Sequence, residues 1–173
     1  VIAIIRGIPS TSILQTAEAL LKGGINLIEI TFDQSSSENI SDTARSLNLV
    51  SQKWGTQISL GAGTVMTTEQ VNIAKKNGAS YIISPDVNEA VIYRTRELNM
   101  VSMPGAFTPS EVIAAYSYGA HIVKLFPAGL LGPDYVKALR SPLSYIPLSA
   151  VGGINESNVS YFFEAGVCCV GIG

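Results

Sequence analysis

A chain of 173 residues is long enough for one domain with a buried core and too short for two domains of ordinary size. Hydrophobic residues make up 47% of it and charged residues 14%, which is typical of parallel sheets whose strands are buried on both faces. The net charge of −2 and the scattered placement of the 11 Lys and Arg residues argue against nucleic acid as a partner.

Export and membrane signals are also missing from the sequence. No stretch approaches the ~18 to 20 consecutive apolar residues of a membrane span, and the first residues lack a charged region and a cleavage site. The two cysteines, Cys168 and Cys169, are adjacent, so a bridge between them would be strained and both are expected to be buried as small hydrophobic residues. We expect a cytoplasmic protein that does not enter the membrane. Because the chain starts without Met and stops at a predicted strand end, both termini are expected to be incomplete.

Eight short apolar runs, rich in β-branched residues, follow one another along the chain and are separated by segments with helical spacing. The runs predict strands at residues 1–6, 27–32, 58–63, 81–85, 101–105, 122–126, 146–151 and 168–173.

The boundaries of the intervening helices are marked by capping residues. Thr67 with Gln70, and Thr108 with Glu111, have the spacing of capping boxes, and Pro133 suits a first helical residue. A glycine closes four of the helical segments just before the next strand, where a left-handed C-cap requires it. The chain is therefore a repeated succession of strand and helix.

Two parallel architectures fit this alternation, an open doubly wound sheet and a closed barrel. The count of eight strands favours a single (β/α)8 TIM-type barrel over residues 1–173. Such barrels usually have ~250 residues, so this one needs minimal loops and is expected to lack part of its last helix.

Lys124 lies within the sixth apolar run, where a charged side chain is out of place. Burial lowers the pKa of a lysine by disfavouring the ammonium form, and a neutral amine can attack a ketone to give a Schiff base. The alternative is a lysine that reaches from a strand end into solvent.

Glu29 is the acidic residue of the second run, flanked by Ile28 and Ile30. Strand alternation in a barrel directs it into the lumen, where it must be paired or functional. It could move protons around a Schiff base at Lys124, or it could form a purely structural ion pair with that lysine.

Further candidates stand at predicted strand ends, which line the mouth of a barrel. Arg6 and Thr64 could hold a substrate carboxylate, and the glycine pair Gly152 and Gly153 could bind phosphate through backbone N–H groups. His121 is the sole histidine, so no cluster with the spacing of metal ligands is present and no metal is expected.

The motifs LIEITF, GAGTV, IISP, MPGAFTPSE, VKLFPA, GPDYVKAL and VGGI occur in this order over nearly the whole chain. With them, the chain resembles the bacterial 2-keto-3-deoxy-6-phosphogluconate (KDPG) and 4-hydroxy-2-oxoglutarate (KHG) aldolase family. The resemblance implies a (β/α)8 barrel, usually a homotrimer. Such an enzyme cleaves KDPG, a keto-acid sugar phosphate, to pyruvate and glyceraldehyde 3-phosphate, with no metal or other cofactor.

The resemblance also implies roles for single residues. Lys124 of VKLFP would form the Schiff base, Glu29 of LIEIT would be the general acid and base, and Thr64 of GAGTV would contact the pyruvyl group. Some members bind the carboxylate with an arginine that follows the glutamate; this chain has none there, and Arg6 would take the role. The remaining substrate-binding residues are expected to be Pro85, Phe126, Val151, Gly152, Gly153 and Gly173.

One departure concerns specificity. Many members read Pro-Thr-Gly-Gly before the seventh helix, whereas this chain has Val151 in place of the threonine, which looks more like the branch acting on the C4 epimer, 2-keto-3-deoxy-6-phosphogalactonate (KDPGal). KDPG cleavage is the leading interpretation and KDPGal cleavage the alternative. A barrel that binds a sugar phosphate without catalysis, and a phosphosugar isomerase, are further alternatives that leave a lysine in strand six unexplained.

Overall fold

The computed structural model describes residues 1–173 as nine strands and seven α-helices, with one 3-10 turn at Gly55–Gln57. The strands are β1 Ile2–Ile5, β2 Leu27–Thr31, β3 Ser59–Gly63, β4 Tyr81–Ile83, β5 Val101–Met103, β6 Gly105–Ala106, β7 Val123–Leu125, β8 Leu148–Val151 and β9 Cys169–Ile172. The helices are α1 Ile13–Lys22, α2 Ser37–Trp54, α3 Thr68–Lys76, α4 Glu89–Glu97, α5 Pro109–Ser117, α6 Ala128–Arg140 and α7 Val159–Glu164.

All strands are parallel and form one sheet in the order β5-β4-β3-β2-β1-β9-β8-β7-β6. The two edge strands are halves of the fifth predicted strand, separated by Pro104. The first half pairs with β4 and the second with β7, and the carbonyl of Pro104 accepts from the N–H of Lys124 at 2.8 Å. Because proline has no N–H to donate, it interrupts the regular ladder and divides the strand, although the N–H of Gly105 still donates to the carbonyl of Asp86 after β4 at 3.2 Å. The sheet is thus a nearly closed barrel. The (β/α)8 prediction is confirmed, with this one strand divided.

Alternation along each strand separates an outer core from the lumen. Ile28 and Ile30 of β2 belong to a cluster of 19 buried residues between the sheet and the first helices, and a second cluster of 18 lies under the later helices. Glu29, between them, points inward, and the floor of the lumen is the small apolar cluster of Ile2, Tyr81, Ile83 and Met103. The side chains that reach the mouth of the barrel are therefore those that point inward at the carboxyl ends of the strands.

The helix boundaries agree with the sequence signals in most details. Thr108 and Glu111 form the predicted reciprocal capping box at α5. Thr67 caps α3, but the Gln70 side chain accepts from the N–H of Met66 at 2.8 Å, so this box is only half formed. A break at Gly132 divides α6, and its second segment starts at Pro133 as expected.

The ends of the helices are also as predicted, since one glycine before each of β2, β4, β7 and β9 has positive φ: Gly24, Gly78, Gly119 and Gly166. Gly23, next to Gly24, has a φ of −77°. None of the helices combines the length and apolar character required to cross a bilayer.

The expectation that both cysteines are buried was wrong for Cys168, which is exposed, and only partly right for Cys169, which is half-buried. Cys168 lies in the bend before β9, at the end of the barrel where the strands begin, and there the helices do not cover its side chain. The Cys168 Sγ donates to the carbonyl of Leu148 at 3.2 Å, and neither thiol is in a disulfide.

Candidate active site

The carboxyl ends of the parallel strands meet at one end of the barrel, and most of the predicted site residues converge there. One cavity, of about 200 Å³, is lined by Ile4, Arg6, Phe126, Val151, Gly152, Gly153, Ile154, Gly171 and Gly173. A second, of about 330 Å³, shares Arg6 with it and adds Gly7, Thr31, Phe32, Asp33, Gln34 and Thr64. Arg6 therefore stands between the two halves of the mouth.

Lys124 is buried at the centre of β7, with 6% of its surface exposed. Its Nζ lies 4.8 Å from the centroid of the Phe126 ring, which is within the range of a cation–π contact. Burial lowers the pKa of Lys124 to about 8; the negative charges of Glu29 and Asp86 counteract the shift, and Arg6 adds to it. A lysine with this pKa supplies a substantial fraction of neutral amine near neutral pH.

Glu29 enters the same lumen from β2 and is 4% exposed. Burial raises its pKa to about 7, and the positive charges of Lys124 and Arg6 partly oppose this shift. Its carboxyl occupies space left by Gly63 on β3, where any Cβ would overlap Oε1. The carboxyl can therefore both accept and donate a proton near neutral pH.

Lys124 and Glu29 share the lumen but form no salt bridge. The salt bridges of the chain all join exposed side chains, such as Glu18 with Lys22 at 2.8 Å. The carboxylate oxygen Oε2 of Glu29 has no hydrogen-bond partner. The structural ion pair that the sequence left open as an alternative is thus not formed, and the two groups interact through space.

Arg6 and Thr64 are brought together at the ends of β1 and β3, where an Arg6 Nη donates to the Thr64 hydroxyl at 3.0 Å. Thr64 has a left-handed backbone with φ of +54°. The Gln34 amide donates to the Thr64 carbonyl at 2.7 Å, and Gln70 donates to Gln34 at 2.7 Å. Sequence reasoning missed this amide chain, because only contacts across the barrel mouth bring α3 to the loop after β2.

The remaining predicted residues occupy two places. Phe126 is 38% exposed above Lys124, and its ring covers the backbone of Gly152. Pro85 lies beside Gly105, where a Cβ would overlap the Pro85 carbonyl, and it lines neither of the two cavities. The two cavities therefore do not support the prediction that Pro85 contacts the substrate.

The glycine-rich ends of β8 and β9 form the other wall. Gly152 and Gly153 have φ of +86° and +76°, and the Gly152 carbonyl accepts from the N–H of Gly129 at the start of α6 at 2.8 Å. Val151 just before them is buried, with 6% exposed, and a Cβ at Gly173 would be 2.5 Å from the Ile4 carbonyl. The backbone itself thus lines this side of the cavity.

No three His, Cys, Asp or Glu side chains come together as a group that could hold a metal ion. His121 lies at the opposite end of the barrel, just before β7, where its Nδ1 accepts from the N–H of Ser102 at 3.0 Å and Arg96 contacts its ring. Burial and Arg96 lower its pKa. These contacts indicate a structural role for His121, away from Lys124.

Comparison with known proteins agrees with this geometry. A family model described as "KDPG and KHG aldolase" matches residues 1–173. A 2-dehydro-3-deoxy-6-phosphogalactonate aldolase of Escherichia coli strain K12 is 33% identical over 99% of this chain and 82% of its own length. A 2-dehydro-3-deoxy-phosphogluconate aldolase of Haemophilus influenzae is 34% identical over 85% of this chain and 66% of its own.

Among solved structures, a KDPG aldolase from Legionella pneumophila superimposes with a TM-score of 0.83 at 27% identity, covering 98% of this chain and 81% of that one. It was captured with pyruvate as a covalent carbinolamine intermediate.

Proposed function

This chain belongs to the KDPG and KHG aldolase family, and on that basis we propose that it cleaves a 2-keto-3-deoxy-6-phosphoaldonate through a Schiff base on Lys124. The observation that carries the proposal is the buried, unpaired amine of Lys124 beside the carboxyl of Glu29, with pKa values of about 8 and about 7. Each group lies within about a unit of neutrality, as proton transfer in both directions requires.

The chemistry follows from these two groups. The neutral amine of Lys124 attacks the C2 ketone, and Glu29 protonates the departing hydroxyl, so that water leaves and an iminium forms. The C3–C4 bond then breaks: its electron pair moves toward the iminium to give the pyruvate enamine, and the carboxylate of Glu29 takes the proton of the C4 hydroxyl as the aldehyde departs. Glu29 protonates the enamine carbon, and water hydrolyses the imine to release pyruvate. The imine is the electron sink, so no metal or cofactor is required.

The walls of the mouth would hold the two ends of the substrate. We assign the carboxylate to Arg6 and the Thr64 hydroxyl, which are already joined by a hydrogen bond. We assign the phosphate to the backbone of Gly152 and Gly153, with Gly173 across the same cavity. Phe126 would cover the imine. Pro85 remains a candidate for substrate binding on the family resemblance alone.

Borohydride trapping tests the imine. Reduction in the presence of pyruvate should add the mass of the reduced adduct to the peptide that holds Lys124. Lys124→Arg should abolish both the adduct and cleavage, because a guanidinium stays protonated, whereas Lys75→Arg on exposed α3 should retain both. An adduct on another lysine would overturn the assignment.

KDPG is the proposed substrate, and Val151 supports KDPGal as a second candidate because this buried residue offers no hydroxyl to the site. A site without that hydrogen bond discriminates weakly between C4 epimers. We expect cleavage of both, and Val151→Thr should shift the ratio of kcat/KM toward KDPG by several-fold to about tenfold, the worth of one hydrogen bond. If the wild type does not cleave KDPGal and Val151→Thr leaves the ratio of kcat/KM unchanged, then Val151 does not determine the preference at C4. KHG cleavage is the third activity to assay.

We further propose a cytoplasmic homotrimer. Large apolar side chains remain exposed on the single chain, among them Ile113 and Tyr116 of α5 and Tyr145, whose ring centroid lies 5.6 Å from that of Tyr116. Burial in a subunit interface would remove these surfaces from water. The two free cysteines suit a reducing compartment. Sedimentation equilibrium measures the oligomeric state directly.

A further inference from the structure

Two of the buried side-chain oxygens without a hydrogen-bond partner face the lumen: Glu29 Oε2 and the hydroxyl of Tyr81. Buried polar groups are rarely left unpaired, because each costs the desolvation of the group without a compensating bond. Tyr81 is otherwise part of an apolar surface, since its ring lines a cavity of about 210 Å³ below the site that has hydrophobic walls only. Its hydroxyl is therefore the feature that requires an explanation.

The strand register brings this hydroxyl toward Glu29. Glu29 of β2 is directly opposite Gly61 of β3, and Gly61 is directly opposite Tyr81 of β4. Because Gly61 has no side chain, the outer half of the Tyr81 ring lies across its Cα, where any Cβ would overlap Cε2 and Cζ. The ring thus extends from β4 over β3 in the direction of β2.

Glu29 leans over the same strand from the other side, with its carboxyl above Gly63. Gly61 and Gly63 are two residues apart on one face of β3, which is about 6.5 Å. The two groups also interact electrostatically: burial raises the pKa of Tyr81 well above its usual value, and the charge of Glu29 raises it further.

We propose that Tyr81 is a positioning residue whose hydroxyl donates a hydrogen bond to the Glu29 carboxylate, directly or through one water, and so fixes that carboxylate in the lumen that it shares with Lys124. The catalytic role of Tyr81 rests on the proposed function. The hydrogen bond between Tyr81 and Glu29 can form whether or not the protein is an aldolase. Tyr81 does not contact the reacting atoms and acts only through Glu29.

The charged and titratable groups around Glu29 are few, so the effect of one hydrogen bond should be resolvable. Lys124 faces it from β7 and Arg6 from the end of β1. Beyond these, Cys169 of β9 interacts with Tyr81, and Asp86 interacts with Lys124. A bond donated to the ionised carboxyl lowers its pKa, so removing the phenol hydroxyl should raise it.

Tyr81→Phe removes the hydroxyl and keeps the ring. With ¹³C-labelled glutamate, and Glu29→Gln to identify the signal, we expect the pKa of Glu29 to rise by about one unit, which is tenfold in the ionisation constant. The acid limb of pyruvate methyl exchange with deuterated water should move by the same amount. Tyr161→Phe, on exposed α7, is the control in which neither readout moves.

An unchanged pKa and exchange profile in Tyr81→Phe would overturn the proposal. So would a higher midpoint of urea unfolding in this variant, because loss of an unpaired buried hydroxyl stabilises whereas loss of a bonded one does not. A rise in the Glu29 pKa in a protein that fails the borohydride test would support the hydrogen bond and refute the aldolase proposal instead.

Discussion

At the scale of single residues, this protein keeps two ionisable groups where neither is well solvated. Burial moves the pKa of Lys124 down and that of Glu29 up, so the two values approach each other from opposite sides. A close ion pair would separate them again, because each charge would stabilise the other. The distance kept between the two side chains is therefore a condition for the proposed chemistry.

The raised pKa of Glu29 predicts how stability depends on pH. In the unfolded chain this carboxyl titrates near its ordinary value of about 4.3, whereas in the folded protein it titrates at about 7. The folded state holds the proton that the unfolded state has lost, so its stabilising contribution is present below about pH 4 and disappears as the pH rises through 7. Relative to Glu29→Gln, the wild type should lose about 3 kcal/mol of unfolding free energy over this window.

Urea unfolding of both proteins at pH 4.5, 6 and 8 measures this difference. Glu156→Gln, on an exposed loop, is the matched control for the removal of one carboxyl. A gap between Glu29→Gln and wild type that does not change with pH would mean that Glu29 titrates normally in the folded protein.

At the scale of elements, the glycines of β3 leave room in the lumen for side chains of the neighbouring strands. Its sequence Gly61-Ala62-Gly63 places Ala62 in the outer core and leaves the inner face without side chains. Tyr81 and Glu29 occupy that space from the two neighbouring strands. Side chains from the two neighbouring strands therefore cover the inner face of β3.

Gly63→Ala tests this arrangement. The backbone of Gly63 has no positive φ, so alanine is conformationally allowed, but its Cβ would overlap the Glu29 carboxyl. We expect overpacking of ~1 to 3 kcal/mol and a loss of pyruvate methyl exchange approaching the ~10²- to 10⁴-fold expected for Glu29→Gln. Gly23→Ala at the end of α1, where the nearest atom is 3.3 Å from the added Cβ, should retain exchange. Full exchange in Gly63→Ala would show that the carboxyl need not lie over β3.

At the scale of the whole molecule, the acidic and sulfur-bearing side chains are dispersed over the barrel. No three of them, with or without His121, form a metal-binding group. If the imine is the electron sink, cleavage should proceed at an unchanged rate after exhaustive dialysis against EDTA. Continuous assay of aldehyde release before and after chelation checks this. Activity that falls and returns with a divalent metal would assign the chemistry to a different class of aldolase.

The sequence alone determined the order of strands and helices, the helix caps and the two charged residues inside strands, because these features depend on local chemistry. Eight apolar runs, the Thr108 capping box and a lysine inside a strand can each be read within a few neighbouring residues. Strand alternation even placed Glu29 inside the lumen, since its direction follows from its own flanking isoleucines.

Only the tertiary structure decided what these residues meet. The division of strand five at Pro104, the amide chain from Gln70 through Gln34 to Thr64, and the exposure of Cys168 all depend on contacts between distant segments. Tyr81 is the clearest case: the sequence analysis did not single it out, because the glycine opposite it and the carboxyl beyond that glycine are set by the register of three strands. Register pairs residues from segments that are far apart in the sequence, so it is decided only when the strands assemble into the barrel.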